Sequence, residues 1–272
     1  NADHPGSKSA HRQGSDAKNP SRAEHYSYAV YADPAILFLP SRLFFAACGV
    51  ACVYLTWLVA RRIGGTRTGL IAAAFLAVNA LHIDYSQVIR TDVQASMFML
   101  LCLSSTFAIA AKGRRRDYLM AGVFVGLGCA TKWPAATIAL SPLAVGVWRL
   151  RHGSPDAGKV ALFVVAALGA LFVASPYLLF DYSTVLRNLA GEARPMHLGA
   201  TGGGFLVNLA WYASDPLRGS FGMAGVALAA LGLVMLPLRN RVAAIAILPG
   251  VAGFCVLICV QALRWERWLI PL

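Results

Sequence analysis

The sequence has few charged residues, and the acidic ones are the scarcest. Only 13% of its 272 residues are Asp, Glu, Lys or Arg, whereas 58% are hydrophobic. A soluble domain carries about 25% charged and about 45–50% apolar residues, so this chain has too little polar surface to be globular in water. Its apolar content equally excludes a disordered chain. These exclusions leave a membrane protein whose apolar side chains face lipid.

Neither the net charge nor the cysteines indicate a different class. The net charge is +12, but the cations lie in short clusters between apolar runs and form no basic domain, so we expect no nucleic acid partner. All six cysteines lie inside apolar runs: Cys48, Cys52, Cys102, Cys129, Cys255 and Cys259. The spacings Cys48/Cys52 and Cys255/Cys259 could hold a metal, but small residues of membrane helices explain them better. No disulfide framework is predicted.

Apolar runs alternate with short charged loops, which predicts an all-α polytopic bundle. We expect membrane helices at 42–60, 68–83, 94–111, 117–131, 133–148, 160–179, 220–238 and 242–263, and a further one that begins near Trp268 and is cut off. The core bundle would be 42–179, followed by helices in a truncated 220–272. Segments 1–41 and 180–219 would be extracytoplasmic loops, the second with a short amphipathic or re-entrant helix at 205–213. Since residues 1–26 are polar and lack a signal peptide pattern, we expect the chain to begin within a longer protein.

The charges of alternate loops predict the orientation. One set of loops carries twelve cations with only Asp117 and Asp156 as acids, whereas the other set carries twelve cations and ten acids. Short loops rich in Lys and Arg remain in the cytoplasm. The acids are therefore expected almost entirely on the outer face, where a site with acid chemistry would lie.

The first candidate site is the outer loop that runs from His82 through Asp84, Tyr85 and Arg90 to Asp92. An acid at the mouth of a membrane helix persists most easily in a polar cavity, where it binds a cation, accepts a proton or pairs with Arg90. Alternatively, Thr91 or Asp92 caps the next helix, with the carboxylate at the positive end of the dipole. The two roles are compatible, and the spacing leaves both open.

The second candidate is Lys132, in Thr131-Lys132-Trp133-Pro134 between two apolar helices. A lone lysine at this depth commonly extends to the membrane surface, and Trp133 fits an aromatic belt. The functional alternative is that Lys132 faces inward and holds a phosphate as a point charge. Pro134 would then interrupt the chain and orient the lysine.

Two further outer stretches carry polar side chains. The long loop offers Glu192 and His197, the latter followed by glycines that permit close ligand approach, although a lone loop histidine is more often simply solvated. Near the end of the chain, Arg264 and Arg267 alternate with tryptophans. This combination of an aromatic belt with two cations could hold an anionic lipid headgroup.

Four short segments of the chain resemble a known family. They are Arg61-Arg62-Ile-Gly-Gly-Thr-Arg67-Thr-Gly69 followed by Arg90-Thr91-Asp92, Gly122-Val-Phe-Val-Gly-Leu-Gly-Cys-Ala-Thr-Lys132, and Arg267-Trp268-Leu-Ile-Pro271. Their order and spacing resemble the protein mannosyltransferase-like superfamily of GT-C glycosyltransferases, over about residues 36–272. The resemblance implies an integral enzyme, expected in a bacterial plasma membrane. It would transfer a hexose or pentose from a polyprenyl-phosphate donor to a protein, lipid or glycan acceptor on the outer face.

The resemblance also implies roles for the candidate residues. Asp92 matches an acid that organises the catalytic site or a divalent cation, and Lys132 matches a lysine at the donor phosphate. Arg267 matches an arginine near the lipid headgroup, with Arg90 and Arg264 as further phosphate ligands. Tyr85, Glu192 and His197 are then the candidates for binding acceptor or sugar.

In one respect the chain departs from the family. The family's main catalytic acid follows a first membrane helix, whereas here His4-Pro5-Gly6 is followed by Ser-Lys. We therefore expect that helix and the base to lie upstream of residue 1, with Asp3 as the substitute within this chain. A transporter or lipid flippase would also need inward charges, but at mid-membrane and often within inverted repeats. A scaffold fragment without activity is the third alternative.

Overall fold

The computed structural model describes residues 35–192 and 202–271, and these ranges are helical with no β-strand. The predicted all-α class is therefore confirmed. The α-helices are α1 (Ala35–Ala77), α2 (Ala80–Ser86), α3 (Thr91–Lys112), α4 (Arg115–Thr131), α5 (Leu140–Arg151), α6 (Ala157–Ala174), α7 (Tyr177–Phe180), α8 (Tyr182–Glu192), α9 (Phe205–Tyr212), α10 (Arg218–Arg239) and α11 (Arg241–Cys259). Two 3₁₀ segments, Trp133–Ala139 and Glu266–Leu269, and a π-helical segment, Ala213–Leu217, interrupt them.

Five helical stretches of the described ranges are long and apolar enough to cross a membrane. They are α1, α3, α6, the run from α9 through α10, and α11. Their outward faces are apolar: α10 has no buried residue, and α6 buries only Phe163. Apolar surface of this extent is compatible with lipid and not with water. The chain is an integral membrane protein, as the composition predicts.

Helix α1 is a hairpin rather than one straight rod. Its helical path is broken at Gly65, which has a φ of 85° that favours glycine. Beyond the break, a Cβ added at Gly69 would lie 2.8 Å from the Trp57 carbonyl oxygen. Residues twelve apart in a straight helix are separated by about 18 Å, so this contact requires the chain to reverse. The reversal lies in the predicted loop between 42–60 and 68–83, although α1 begins earlier, at Ala35.

The end of the predicted helix 68–83 is instead a separate short helix. α1 ends at Ala77, and the Asn79 side chain then accepts a hydrogen bond from the His82 backbone N–H at 2.9 Å, which starts α2. α2 packs on α1 where Gly49 leaves room, and His82 Nε2 lies 3.2 Å from the Gly49 carbonyl oxygen. The Asn cap therefore breaks the apolar run and places α2 directly before the candidate site.

Helices α4 and α6 are in the closest contact within the bundle. Gly122 and Gly126 lie on one face of α4, against the carbonyl oxygens of Phe163 and Ala167 in α6. Any side chain at these glycines would meet the α6 backbone. Small residues four apart are the usual means by which membrane helices approach each other closely.

At the end of the bundle where α4 begins, a buried acid joins three helices. Asp156 is fully buried and accepts hydrogen bonds from Arg149 Nε at 2.5 Å, Lys159 Nζ at 2.6 Å and the Tyr118 hydroxyl at 3.0 Å. Burial raises the pKa of Asp156, but the hydrogen bonds from Lys159, Arg149 and Tyr118 outweigh burial and hold that pKa below its ordinary value. The carboxylate thus stays ionised and fastens α4, α5 and α6 together.

Several predicted boundaries differ from the structure. The helix expected at 133–148 begins with the 3₁₀ segment Trp133–Ala139, and the segment expected as loop at 180–219 contains α8. The helix expected near Trp268 is a 3₁₀ turn over the described residues. The short helix expected at 205–213 is present as α9.

A methyl group at Gly126 should separate α4 from α6. Gly126→Ala places its Cβ against the α6 backbone, and overpacking of this kind costs about 1–3 kcal/mol. We expect a lower thermal midpoint in detergent. Gly169→Ala in α6, where a Cβ meets nothing within 4 Å, is the matched control and should be neutral or slightly stabilising. Equal midpoints for the two variants would contradict the close approach.

Candidate active site

The helical path is interrupted at Lys132, as Pro134 predicts. α4 ends at Thr131, and Lys132 has an extended backbone with φ −157° and ψ 119°. Its N–H still donates to the Gly128 carbonyl at 2.8 Å, and Pro134 lies in the first turn of the 3₁₀ segment. Proline is tolerated in a first helical turn, where its missing N–H would have no partner. The extended residue directs the lysine away from the path of α4 and towards α3.

Helix α3 begins at Thr91 with Arg90 as its N-cap, and no side chain caps it. The prediction that Thr91 or Asp92 caps this helix is therefore wrong. Asp92 lies in the first turn, where a carboxylate still meets the positive end of the helix dipole. Its side chain does not cap the helix, because Asp92 Oδ1 accepts a hydrogen bond from Lys132 Nζ.

The Asp92–Lys132 pair is largely removed from solvent. The Asp92 side chain is 5% exposed and that of Lys132 is 16% exposed. Attraction between opposite charges strengthens as the local dielectric falls, and a buried charge without a partner would be costly. Lys132 therefore does not simply extend to the membrane surface, and the two candidates of the sequence analysis are in direct contact.

Two further cations act on this pair. The positive charges of Arg267 and Arg90 both lie close enough to oppose the charge on Lys132. The Arg267 guanidinium lies over the Trp265 ring at 4.4 Å, within the 3₁₀ segment Glu266–Leu269 that follows α11. Within the described residues, Asp92 forms its ion pair with Lys132 alone, so the charges of Arg90 and Arg267 leave an excess of positive charge near this pair. Such a site is suited to a phosphate.

The structure distributes the remaining candidates more widely. Tyr85 is half-buried and packs against a small cluster of Cys48, Cys52 and Val93. Arg264 lies over the Trp211 ring at 5.2 Å. Glu192 is the last residue of α8. Asp3 and His197 lie outside the described residues.

The sequence analysis overlooked Asn208, which positions the chain leading to Arg267. This asparagine is fully buried in α9 and donates to the carbonyls of Cys259 at 2.7 Å and Gln261 at 2.9 Å. Its side-chain oxygen accepts from the Gly203 N–H at 3.2 Å. The signal was a single amide in the apolar run Phe205–Tyr212, since a polar group there needs hydrogen-bond partners.

The residues around Asp92 do not by themselves form a divalent metal site. Within the described ranges, no group of three His, Cys, Asp or Glu side chains lies together. The one carboxylate at the site is already bound to the Lys132 ammonium. Divalent cations such as Mg²⁺ and Ca²⁺ need several oxygen ligands, which the described residues around Asp92 do not supply.

Of the comparisons with known proteins, one finds a match. A family model described as dolichyl-phosphate-mannose-protein mannosyltransferase matches residues 37–180, which is more than half of the chain. The matched range contains Arg90, Asp92 and Lys132. No curated protein and no solved structure matches the chain.

A double-mutant cycle should detect the coupling between Asp92 and Lys132. Removing one partner of a buried pair costs about 3–5 kcal/mol, since the other charge is left uncompensated. We expect Asp92→Asn and Lys132→Met each to lower the thermal midpoint in detergent, and the double variant to cost clearly less than their sum. Asp84→Asn, an exposed acid of α2, is the control and should have little effect. Additive losses would contradict the pairing.

Proposed function

Since the chain belongs to the dolichyl-phosphate-mannose-protein mannosyltransferase family, we propose that it transfers a sugar from a polyprenyl-phosphate donor to an acceptor outside the cytoplasm. As a membrane glycosyltransferase of the mannosyltransferase type, it needs a site for a lipid-linked phosphate at a membrane boundary. The proposal assigns a hexose or pentose as the sugar and a protein, lipid or glycan hydroxyl as the acceptor.

The observation that carries the proposal is the excess of positive charge around a buried acid at one end of the bundle. An ammonium has three N–H donors, and Lys132 uses one of them on Asp92. The others can donate to donor phosphate oxygens, while Arg90 and Arg267 supply further charge nearby. Lys132 thus binds the phosphate from a fixed position.

The reaction breaks the bond between the anomeric carbon and the phosphate oxygen. The acceptor hydroxyl oxygen forms the new bond to that carbon from the opposite side, with inversion, and its proton passes to a base. The bonding electron pair leaves with the lipid phosphate, whose negative charge therefore grows. Fixed cations stabilise a charge that develops in the transition state, which is the contribution we assign to Lys132 and Arg267.

Asp92 acts in this proposal as a positioning residue rather than as the base. Its Oδ1 already accepts a hydrogen bond from the Lys132 ammonium, so the carboxylate is placed to orient that lysine. Its role is to hold Lys132 at the phosphate. The base itself is assigned to none of the described residues.

The acceptor side of the site is proposed along the same outer boundary. Tyr85 packs against the cluster that contains Val93 of α3, and Ile270, which follows the segment with Arg267, packs against the same cluster. A half-buried tyrosine offers both a ring and a hydroxyl to a sugar. Glu192 and His197 are proposed as further acceptor- or sugar-binding residues, and Arg264 as a further phosphate ligand.

Replacing Lys132 should remove transfer while the bundle still folds. Losing a charge-assisted contact to a departing oxyanion lowers the rate by ~10²–10³. We expect Lys132→Met to lose that much transfer from a labelled polyprenyl-phosphate sugar to membrane fractions. Lys132→Arg should retain partial activity, because it keeps the charge but not the geometry.

The matched control is Arg187→Met, an exposed cation of α8, which should keep normal transfer. Each variant is compared at equal amounts of folded protein, measured by monodisperse elution in detergent. Near-normal transfer by a folded Lys132→Met variant would contradict the phosphate role and leave the lysine as a membrane anchor.

The proposed orientation has a separate test. The basic loops at the other end of the bundle predict that Arg116 is cytoplasmic and Ser183 is outside. A membrane-impermeant maleimide on intact cells should label Ser183→Cys and spare Arg116→Cys. Five of the six native cysteines are buried, so the unsubstituted chain gives the background. Equal labelling of both variants would overturn the orientation.

A further inference from the structure

A cavity with several cations in its lining lies at the end of the bundle opposite Asp92 and Lys132. It has a volume of about 510 Å³ and lies between the last turns of α3 and the first turns of α4 and α11. Its polar lining comprises Arg62, Lys112, Arg114, Asp117 and Asn240. α3 and α4 run antiparallel through the tight turn at Gly113, so the cavity is one membrane thickness away from the candidate active site.

The cations of this cavity lack ion-pair partners. Within the described ranges, none of Arg62, Lys112 and Arg114 forms a salt bridge. The only acid in the lining, Asp117, accepts a hydrogen bond from the Arg114 backbone N–H at 3.1 Å and so caps α4. Arg62 uses one guanidinium nitrogen on the Ser104 carbonyl at 2.9 Å and keeps its other donors. The cavity therefore has a net charge of about +2.

Two other cations at the same end of the bundle do form ion pairs. Arg149 and Lys159 are both bound to the buried Asp156. The cations that hold the helices together are thus neutralised by an internal carboxylate. The cavity cations have no such counterion within the described residues, so an external anion can bind them. This contrast indicates that the positive charge of the cavity is not needed for folding.

The other wall of the cavity is apolar. Phe107 and Val242, with alanines of α3 and α11, line it beside the cations. The first turns of α4 and α11 also direct their positive dipole ends to this side of the bundle. A free inorganic phosphate would leave the apolar wall against water, whereas a phospholipid fills it with glycerol and the first acyl carbons. Basic pockets between membrane helices bind anionic lipid headgroups.

We propose that this cavity binds the phosphate of an anionic phospholipid headgroup, with Lys112, Arg114 and Arg62 as its ligands. The bound lipid holds the ends of α3, α4 and α11 together at the membrane surface. This site is independent of the proposed sugar transfer, since it uses none of the residues assigned to the donor.

The test measures lipid binding by the full chain in a neutral detergent. Phosphatidylglycerol, phosphatidylcholine or inorganic phosphate is titrated in, while bound lipid is counted by native mass spectrometry and the thermal midpoint is followed. Phosphatidylglycerol should bind and raise the midpoint, and the other two should not. Each cation near a membrane surface contributes roughly fivefold to the affinity for an anionic headgroup, so K112Q/R114Q should bind about 25-fold more weakly.

The matched control is R115Q/R116Q, which removes two exposed cations next to the cavity and should bind phosphatidylglycerol like the original chain. Equal weakening of the two double variants would overturn the proposal in favour of general surface attraction. Equal effects of phosphatidylcholine would exclude recognition of charge. Binding of inorganic phosphate alone, with the same midpoint shift, would overturn the lipid as the occupant. Should K112Q/R114Q fail to fold, K112Q is compared with R115Q, with about fivefold weaker binding expected.

Discussion

A charge inside a membrane protein must find a partner inside the protein, and this constraint organises both ends of the bundle. At one end the Asp92 carboxylate binds the Lys132 ammonium, and at the other Asp156 binds Arg149 and Lys159. The first joins α3 to the residue that follows α4, and the second joins α4, α5 and α6 through Tyr118, Arg149 and Lys159. Losing either partner of the Asp92–Lys132 pair leaves the other charge buried without compensation, which is far more costly than the absence of the whole pair.

Helix α4 connects these two ends. Tyr118 in its first turn donates to Asp156, and Lys132 follows its last turn, about 21 Å away for fourteen residues. Between these points, Gly122 and Gly126 bring the helix against the α6 backbone. The position of Lys132 is therefore set by contacts along the whole of α4. A lysine held in this way needs little reorganisation to meet the developing charge of the proposed donor phosphate.

Much of this architecture follows from the sequence, and the remainder has identifiable physical causes. Alternating apolar runs and basic loops predict the helices, the reversal near Gly65 and the common depth of Asp92 and Lys132. They do not predict the direct pairing of the two, because a charge count gives depth in the membrane but not rotation about a helix axis. The sequence analysis did not predict the Asn79 cap because apolar residues continue on both sides of Asn79. The cap consists of a single hydrogen bond from one backbone N–H, which a hydropathy pattern does not report. Asn208 was missed because its carbonyl partners lie more than fifty residues away.

The two positively charged regions differ in one respect that matches their proposed uses. The group of cations near Lys132 also contains an acid that competes with phosphate. The Asp92 carboxylate accepts one hydrogen bond from the Lys132 ammonium before any phosphate binds. Such a competitor limits the affinity for bound phosphate, and an enzyme gains nothing from binding its product as tightly as its transition state. The cavity lined by Lys112 and Arg114 has only Asp117, whose carboxylate is occupied as a helix cap. Without a competing carboxylate, that cavity is suited to retaining an anion, as a structural lipid requires. The placement of acids, more than that of cations, thus distinguishes the proposed transfer site from the proposed lipid site.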